Sequence, residues 1–150
     1  VPIRGIALAM NEPVGVIGTL CADDAPLLGL CHAMGAGMAM GNRSVLIASE
    51  LYPFAATDLI QVLETSDVPA GVVNVITGSH AELAPHLAAH NDLDAVWSFS
   101  SADVSTVVES KSTGNLKRTW VNNGQSTNFA PRDFLSAASE TKTVWVPYGE

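Results

Sequence analysis

Thiols, imidazoles and carboxylates are the side chains of this sequence that could most readily do chemistry. Cys31 and His32 are adjacent, and Asp23 and Asp24 precede them closely, which is a set of residue types able to ligate a metal ion. Adjacent residues on a helix point in different directions, so this set predicts no metal site. The remaining histidines are expected on the surface of a later helix, without forming a proton relay: His80, His86 and His90.

A glycine-rich stretch, Gly35 to Gly41, nearly matches the Gly-x-Gly-x-x-Gly pattern that binds dinucleotide phosphates. That pattern has to lie in a turn between a strand and a helix. Here it lies at the end of a helical run. We therefore interpret these small residues as a site of close helix packing.

The elements that must position these groups alternate between strand and helix. Alternation of this kind predicts a parallel sheet with helices on both faces, in a doubly wound α/β arrangement. The two ends of the chain, residues 1–13 and 143–146, fall outside the alternation. The predicted strands are 14–20, 44–48, 72–76, 95–99 and 118–122, and the predicted helices are 24–40, 57–64, 81–89 and 102–110.

The composition is that of a single acidic globular domain. Of 150 residues, 47% are hydrophobic and 15% charged, with a formal net charge of −8, which disfavours both disorder and binding to nucleic acid. Two cysteines do not form a secreted disulfide scaffold. We see neither a signal peptide nor an apolar stretch long enough for a bilayer, and expect a cytoplasmic protein. Because the sequence begins with Val, we expect a fragment or processed product.

Six stretches of the sequence resemble, in order and spacing, segments of the aldehyde dehydrogenase superfamily. The first is similar to its Glu-Pro-Val-Gly-Val-Val-Gly entry strand, and the fourth to Leu-Pro-Pro-Gly-Val-Val-Asn-Val-Val-Thr-Gly. The resemblance implies a Rossmann-like domain, residues 14–125, that binds a nicotinamide dinucleotide. The stretches are Glu12–Gly18, Gly41–Asn42, Ser49–Glu50, Val68–Gly78, Leu93–Ser101 and Leu116–Gln125.

The resemblance also implies that the catalytic domain is missing. Leu116–Gln125 and a second stretch, Lys142–Val146, flank that domain in the family, and only about 16 residues separate them here. A domain needs at least roughly 50 residues. The nucleophilic thiol belongs to the absent segment, and neither Cys21 nor Cys31 corresponds to it.

The remaining catalytic positions are also altered. Asp24 stands where the family has an Asn that donates to the oxyanion, and a carboxylate only accepts hydrogen bonds. We expect Asp24 to cap the following helix instead. Asn122 replaces the general-base Glu. The resemblance therefore assigns no catalytic residue to this chain.

The cofactor positions implied by the resemblance are only partly retained. Glu50 could accept from ribose hydroxyls, and Ser101 remains near the expected pyrophosphate position, both as vestigial cofactor-binding residues. Ile47 replaces the ribose-binding Lys, and Ser100 and Ser105 replace glycines that let the backbone approach phosphate. We expect no bound cofactor, or NAD only weakly.

Together these features predict a non-catalytic structural and assembly module of a larger NAD(P)-dependent aldehyde dehydrogenase. The chain resembles the C-terminal pseudo-module of two-module family 16 aldehyde dehydrogenases. Residues 1–13 and the strand returning within the shortened connection, 126–150, are expected to form a β arm. Its partner would be a second copy or the parent's catalytic module, with no nucleic acid or membrane. The alternatives are a dinucleotide-binding regulatory module, or part of an NAD-dependent aldehyde oxidoreductase completed by another chain.

Overall fold

A computed structural model describes residues 4–148 of the chain. Five strands form a parallel sheet in the order β4-β3-β2-β5-β6, and β1 pairs with β7 in a separate antiparallel ribbon. Both the doubly wound sheet and the arm formed by the chain ends are confirmed. The elements are β1 (Gly5–Pro13), β2 (Val16–Leu20), α1 (Pro26–Ala39), β3 (Arg43–Ile47), α2 (Phe54–Glu64), β4 (Val73–Ile76), α3 (His80–Ala89), β5 (Ala95–Ser98), α4 (Ala102–Lys111), β6 (Arg118–Val121), α5 (Pro131–Ala137) and β7 (Ser139–Pro147).

The sheet separates two apolar cores, because successive side chains of a strand point to opposite faces. Ile17 and Trp97 pack with α1 and α5 on one face, whereas Leu20 and Val96 pack with α3 and α4 on the other. The central strands β2 and β5 are almost wholly buried. The strand ends are thus held firmly, which fixes the loops that follow them.

The glycine-rich end of α1 lies against the sheet, as the interpretation of close packing requires. A Cβ atom on Gly37 would lie 2.5 Å from Ser44 Oγ of β3, so a larger residue would require the Ser44 side chain to move. Gly35, by contrast, has open space around its Cα. The packing explanation therefore holds at Gly37 and not across the whole stretch.

The short connection between β6 and β7 is a packed element rather than a loose loop. Within it, α5 lies beside α1, and the Phe134 side chain is fully buried. The Phe134 ring contacts Trp97, Phe99 and Trp120, with ring centroids 6.0, 5.5 and 5.0 Å away. The sequence around Phe134 carries little local signal for this role, because most of the surrounding residues are polar or small.

Two side chains tie the connection to the sheet domain. The Asp24 carboxylate accepts a hydrogen bond from Thr127 N at 2.8 Å, whereas the N-cap of α1 is Ala25 and no side chain caps that helix. The expectation that Asp24 caps α1 is therefore wrong. Asn42, which is buried, accepts from Gly15 N and donates to Ala138 O, both at 2.8 Å.

The arm is longer than the sequence predicted, because β7 extends over nine residues rather than four. Its register runs from Gly5 opposite Pro147 to Pro13 opposite Ser139, and Tyr148 N donates to Arg4 O at 3.0 Å. The sequence predicted no strand before Lys142, because Ser139 to Thr141 carry no apolar strand signal. Within residues 4–148, no helix is long and apolar enough to cross a membrane.

Candidate functional site

The candidate site lies at the carboxyl edge of the parallel sheet. The chain passes from β2 outward to β4, and then returns to the other side of β2 to form β5 and β6. In doubly wound sheets, ligands bind outside the carboxyl ends of the strands at such a reversal. The loops after β2, β3 and β5 therefore contain the residues to be considered.

Glu50, a predicted ribose ligand, is engaged within the protein. It follows β3, and its carboxylate accepts a hydrogen bond from the backbone N–H of His80, the first residue of α3. A carboxylate at this position also interacts favourably with the positive end of the helix dipole. The amino end of α3 therefore holds an anion supplied by the chain itself.

His80 is buried beneath the same edge, with only 2% of its surface exposed. Its Nε2 lies 2.8 Å from Ala48 O, and its Nδ1 lies 2.9 Å from Ser100 Oγ. Because a carbonyl oxygen can only accept, Nε2 carries a proton, and Nδ1 can accept from the Ser100 hydroxyl. The expectation of a surface position is wrong for His80, whose ring joins the ends of β3 and β5.

Ser101, the second predicted cofactor ligand, caps its own helix. The Ser101 hydroxyl accepts from Val104 N at 3.3 Å as the N-cap of α4. Gly124 lies against the same helix end: a Cβ atom on Gly124 would lie 3.1 Å from Ala102 N. Ser101 and Gly124 therefore lie at the first turn of α4, near which the resemblance places the pyrophosphate.

Two substituted cofactor positions face the interior instead of the edge. Ile47 is 1% exposed and packs in the core beneath α3 and α4. Ser105 is fully buried on the face of α4 that packs on the sheet, and its hydroxyl has no hydrogen-bond partner. The Ser105 side chain therefore does not reach the space expected for phosphate, whereas Ser100 lies at the edge.

The residues at the catalytic positions have structural contacts. Asn122 is buried, donates to Gln125 O at 2.7 Å and accepts from Gly124 N at 3.2 Å, so it shapes the turn after β6. Cys21 is 1% exposed, and burial raises the pKa of its thiol to about 12. Neither group can take the role of a base or nucleophile at neutral pH.

Two separate pockets remain at this edge. One, of about 310 Å³, is lined by Asp23, Asp24 and Ser100 together with the turn 124–126. The other, of about 370 Å³, is lined by Ser49, Glu50 and the loop 77–79. A dinucleotide binds across a crevice at this edge, whereas Glu50 and Ser101 already accept hydrogen bonds from backbone N–H groups of the chain, so these residues do not fit one.

No group of three or more His, Cys, Asp or Glu residues between positions 4 and 148 could hold a metal ion. Cys31 and His32 do not converge on a site. The His32 ring packs on Phe134 at 5.3 Å between centroids.

The fold and this edge define a nucleotide-binding-type α/β domain with a β arm. Its sequence matches the aldehyde dehydrogenase family over residues 3–130, and the chain belongs to that family. It is similar to the NADP/NAD-dependent aldehyde dehydrogenase PuuC of Escherichia coli (strain K12), at 36% identity over 97% of this chain and 30% of the relative. It is also similar to the mitochondrial aldehyde dehydrogenase of Homo sapiens, at 30% identity over 89% of this chain and 26% of the relative.

Solved structures agree with the sequence comparison. An indole-3-acetaldehyde dehydrogenase complexed with NAD+ superposes with a TM-score of 0.74 and 31% identity, covering 81% of this chain and 25% of that one. A gamma-glutamyl-gamma-aminobutyraldehyde dehydrogenase from Burkholderia cenocepacia J2315 gives a TM-score of 0.73 and 33% identity, covering 78% of this chain and 24% of that one. The chain spans about 30% of the length of the first curated relatives it matches.

Proposed function

We propose that this chain is a non-catalytic structural and assembly module of a longer aldehyde dehydrogenase. The observation that carries the proposal is the packing of α5. The resemblance places a catalytic domain between β6 and β7, and here Phe134 of α5 closes the aromatic core from within that interval. A short connection that completes the core leaves a stable unit without that domain.

The altered catalytic positions support the same function. Asp24 binds the backbone of the connection, and Asn122 shapes a turn. Each residue contributes to structure at a position where the family resemblance implies chemistry. A regulatory module or a completed oxidoreductase would need residues free to bind a dinucleotide, whereas Glu50 accepts from His80 N and Ser101 accepts from Val104 N.

The arm supports a role in assembly. Along β1, Ile6, Leu8 and Met10 point to one side of the ribbon and are 49%, 47% and 50% exposed. Val146, opposite Ile6, extends this apolar surface. A two-stranded ribbon is marginal in water on its own, and its open edges invite pairing with another chain.

A second apolar surface lies beside α3. A groove of about 380 Å³ there is lined largely by aliphatic residues of β2, β3, β4 and α3. Ile76 of β4, within it, remains 43% exposed. Exposed apolar surface of this kind is typical of regions that contact another part of an assembly.

In this function, the ribbon face of Ile6, Leu8, Met10 and Val146 docks against a second copy or against the catalytic module of the parent enzyme. The parent would oxidise an aldehyde with NAD(P), while this module contributes to assembly. A symmetric dimer is the commonest arrangement of identical chains.

Light scattering on three chains tests this assignment: the unmodified chain, Leu8→Lys and Thr143→Lys. Leu8 lies on the apolar face, whereas Thr143, opposite Ala9, lies on the other face of the same ribbon. If copies pair through the apolar face, Leu8→Lys should give a monomer and Thr143→Lys should remain a dimer. If the unmodified chain is a monomer, its titration with the parent's catalytic module should show binding that Leu8→Lys weakens. A monomer that binds no catalytic module would refute the assembly role.

A further inference from the structure

We propose that His80 is the residue that closes the dinucleotide cleft and makes this module selective against NAD. The inference rests on the proposed function, because a module without catalytic residues has no need of an open cofactor cleft. It differs from an explanation through lost ligands alone. In that explanation the cleft would be open and would bind NAD weakly, whereas here the buried His80 side chain fills the cleft.

The His80 ring lies between the ends of two strands of the sheet. Its Nε2 is bonded to Ala48 O after β3, and its Nδ1 to Ser100 Oγ after β5. The strand between them in the sheet is β2, so the ring spans the crevice at the point where the strand order reverses. Both polar atoms of the ring are satisfied, which favours this position despite nearly complete burial.

The residues expected to bind the two parts of a dinucleotide line different pockets. Glu50, the expected ribose ligand, lines one pocket, whereas Ser100 and Ser101 line the other. His80 binds Ser100 through its ring and Glu50 through its backbone N–H. The residue therefore connects the positions expected for the adenosine ribose and the pyrophosphate, and a dinucleotide that extended from one pocket to the other would have to displace these contacts.

The Glu50 carboxylate is already hydrogen-bonded within the protein. A ribose would need the Glu50 carboxylate, which already accepts from the amino end of α3. That bond fixes the direction of the carboxylate, whose second oxygen can still accept, so a ribose must approach Glu50 in the orientation that the bond sets. Removing the His80 ring leaves the bond between the Glu50 carboxylate and the backbone N–H of residue 80 in place. The effect of the ring on NAD binding can therefore be measured separately.

Calorimetric titration with NAD and with adenosine tests the proposal on the unmodified chain and on His80→Gly. We expect the unmodified chain to bind NAD more weakly than about 1 mM and His80→Gly to bind at least about tenfold more tightly. Adenosine has a ribose but no phosphate and need not extend from one pocket to the other, so its gain should be at least about threefold smaller than that of NAD. His86→Gly, at an exposed position of the same helix, is the matched control and should gain nothing.

Three results would overturn the proposal: micromolar NAD binding by the unmodified chain, a folded His80→Gly chain without a gain, or equal gains for NAD and adenosine. If circular dichroism shows His80→Gly to be unfolded, His80→Ala decides. It also removes the ring, and should raise NAD affinity at least about threefold; no gain would refute the proposal. Light scattering decides the assembly role separately, so either idea can fail alone.

Discussion

Cys21 is a thiol whose chemistry is suppressed by its position. It follows β2 directly, its backbone N–H donates to Ile47 O at 2.9 Å, and burial raises the pKa of its thiol to about 12. At pH 8 only about one molecule in ten thousand would carry the reactive thiolate. Cys31 is only partly buried, so the two thiols can be distinguished.

We predict that the Cys31→Ser chain, with Cys21 alone, reacts with a thiol reagent at pH 8 only after denaturation. The Cys21→Ser chain is the control and should react in the folded state. Rapid modification of native Cys31→Ser, at a rate close to that of the unfolded chain, would show that Cys21 is accessible.

The same thiol predicts a pH dependence of stability. The folded-state pKa of Cys21 lies above its unfolded value of 9.0, so the unfolded chain loses the proton first. The contribution of this group is complete below pH 9 and is lost as the pH rises towards 12, by up to about 1.4 kcal/mol per pH unit. Urea unfolding should show a shallower decline for Cys21→Ala, and identical slopes would contradict the assignment.

At the residue scale, the sequence predicted the altered catalytic and cofactor positions better than it predicted their contacts. Asp24 followed by Ala25 and Pro26 has the local pattern of a helix cap, but its carboxylate binds Thr127, far along the chain. His80 begins a helix at a site where exposure is usual, and its burial depends on Ala48 and Ser100. Such long-range partners leave no local signal.

Among the elements, α5 is short but places a fully buried aromatic ring in the core. It contains seven residues, yet its Phe134 is fully buried and joins the rings of Trp97, Phe99 and Trp120. Aromatic pairs in these tilted and edge-on geometries contribute beyond the area they bury. The shortened connection is therefore expected to be part of the folding unit.

We predict that Phe134→Ala lowers the free energy of unfolding by about 3–5 kcal/mol, because it leaves a cavity among aromatic rings. Leu135→Ala, at an exposed neighbouring position, should change it by less than about 1 kcal/mol. Urea unfolding followed by tryptophan fluorescence measures both. A similar, small change in the two variants would indicate that α5 is only loosely attached.

The regular elements were largely predictable, since alternating strands and helices determine a doubly wound sheet. The ends of the elements were not. The pattern at Lys142–Val146 predicted a short returning strand, whereas pairing with β1 extends β7 back to Ser139. The register of an antiparallel pair depends on both strands, and a polar stretch such as Ser139 to Thr141 becomes a strand only when its partner is present.

At the scale of the whole molecule, the residues at the catalytic positions are not expected to support aldehyde chemistry. Asp24 cannot donate to an oxyanion, Asn122 cannot act as a base at neutral pH, and Cys21 is buried as a thiol. Residues of a catalytic site act as a unit, so the combined loss should leave little activity.

We predict that the isolated chain forms no NADH from aldehyde and NAD above a blank without protein, and hydrolyses no activated ester. Absorbance assays at high protein concentration measure both reactions. A repurified sample that retains NADH formation, and loses it when Cys31 is replaced by Ser, would assign catalysis to this chain and contradict the proposed function.

The pairing of Arg4 with Tyr148 has a consequence for how this unit can be joined to other sequences. The polypeptide enters and leaves the fold side by side, with Gly5 and Pro147 directly opposite each other and so about 5 Å apart. In a longer polypeptide, the segments on either side of this unit would therefore attach close together, so the unit could be inserted without separating them. By the same geometry, a short linker between the ends and a new opening in an exposed loop should yield a circular permutant with the same fold.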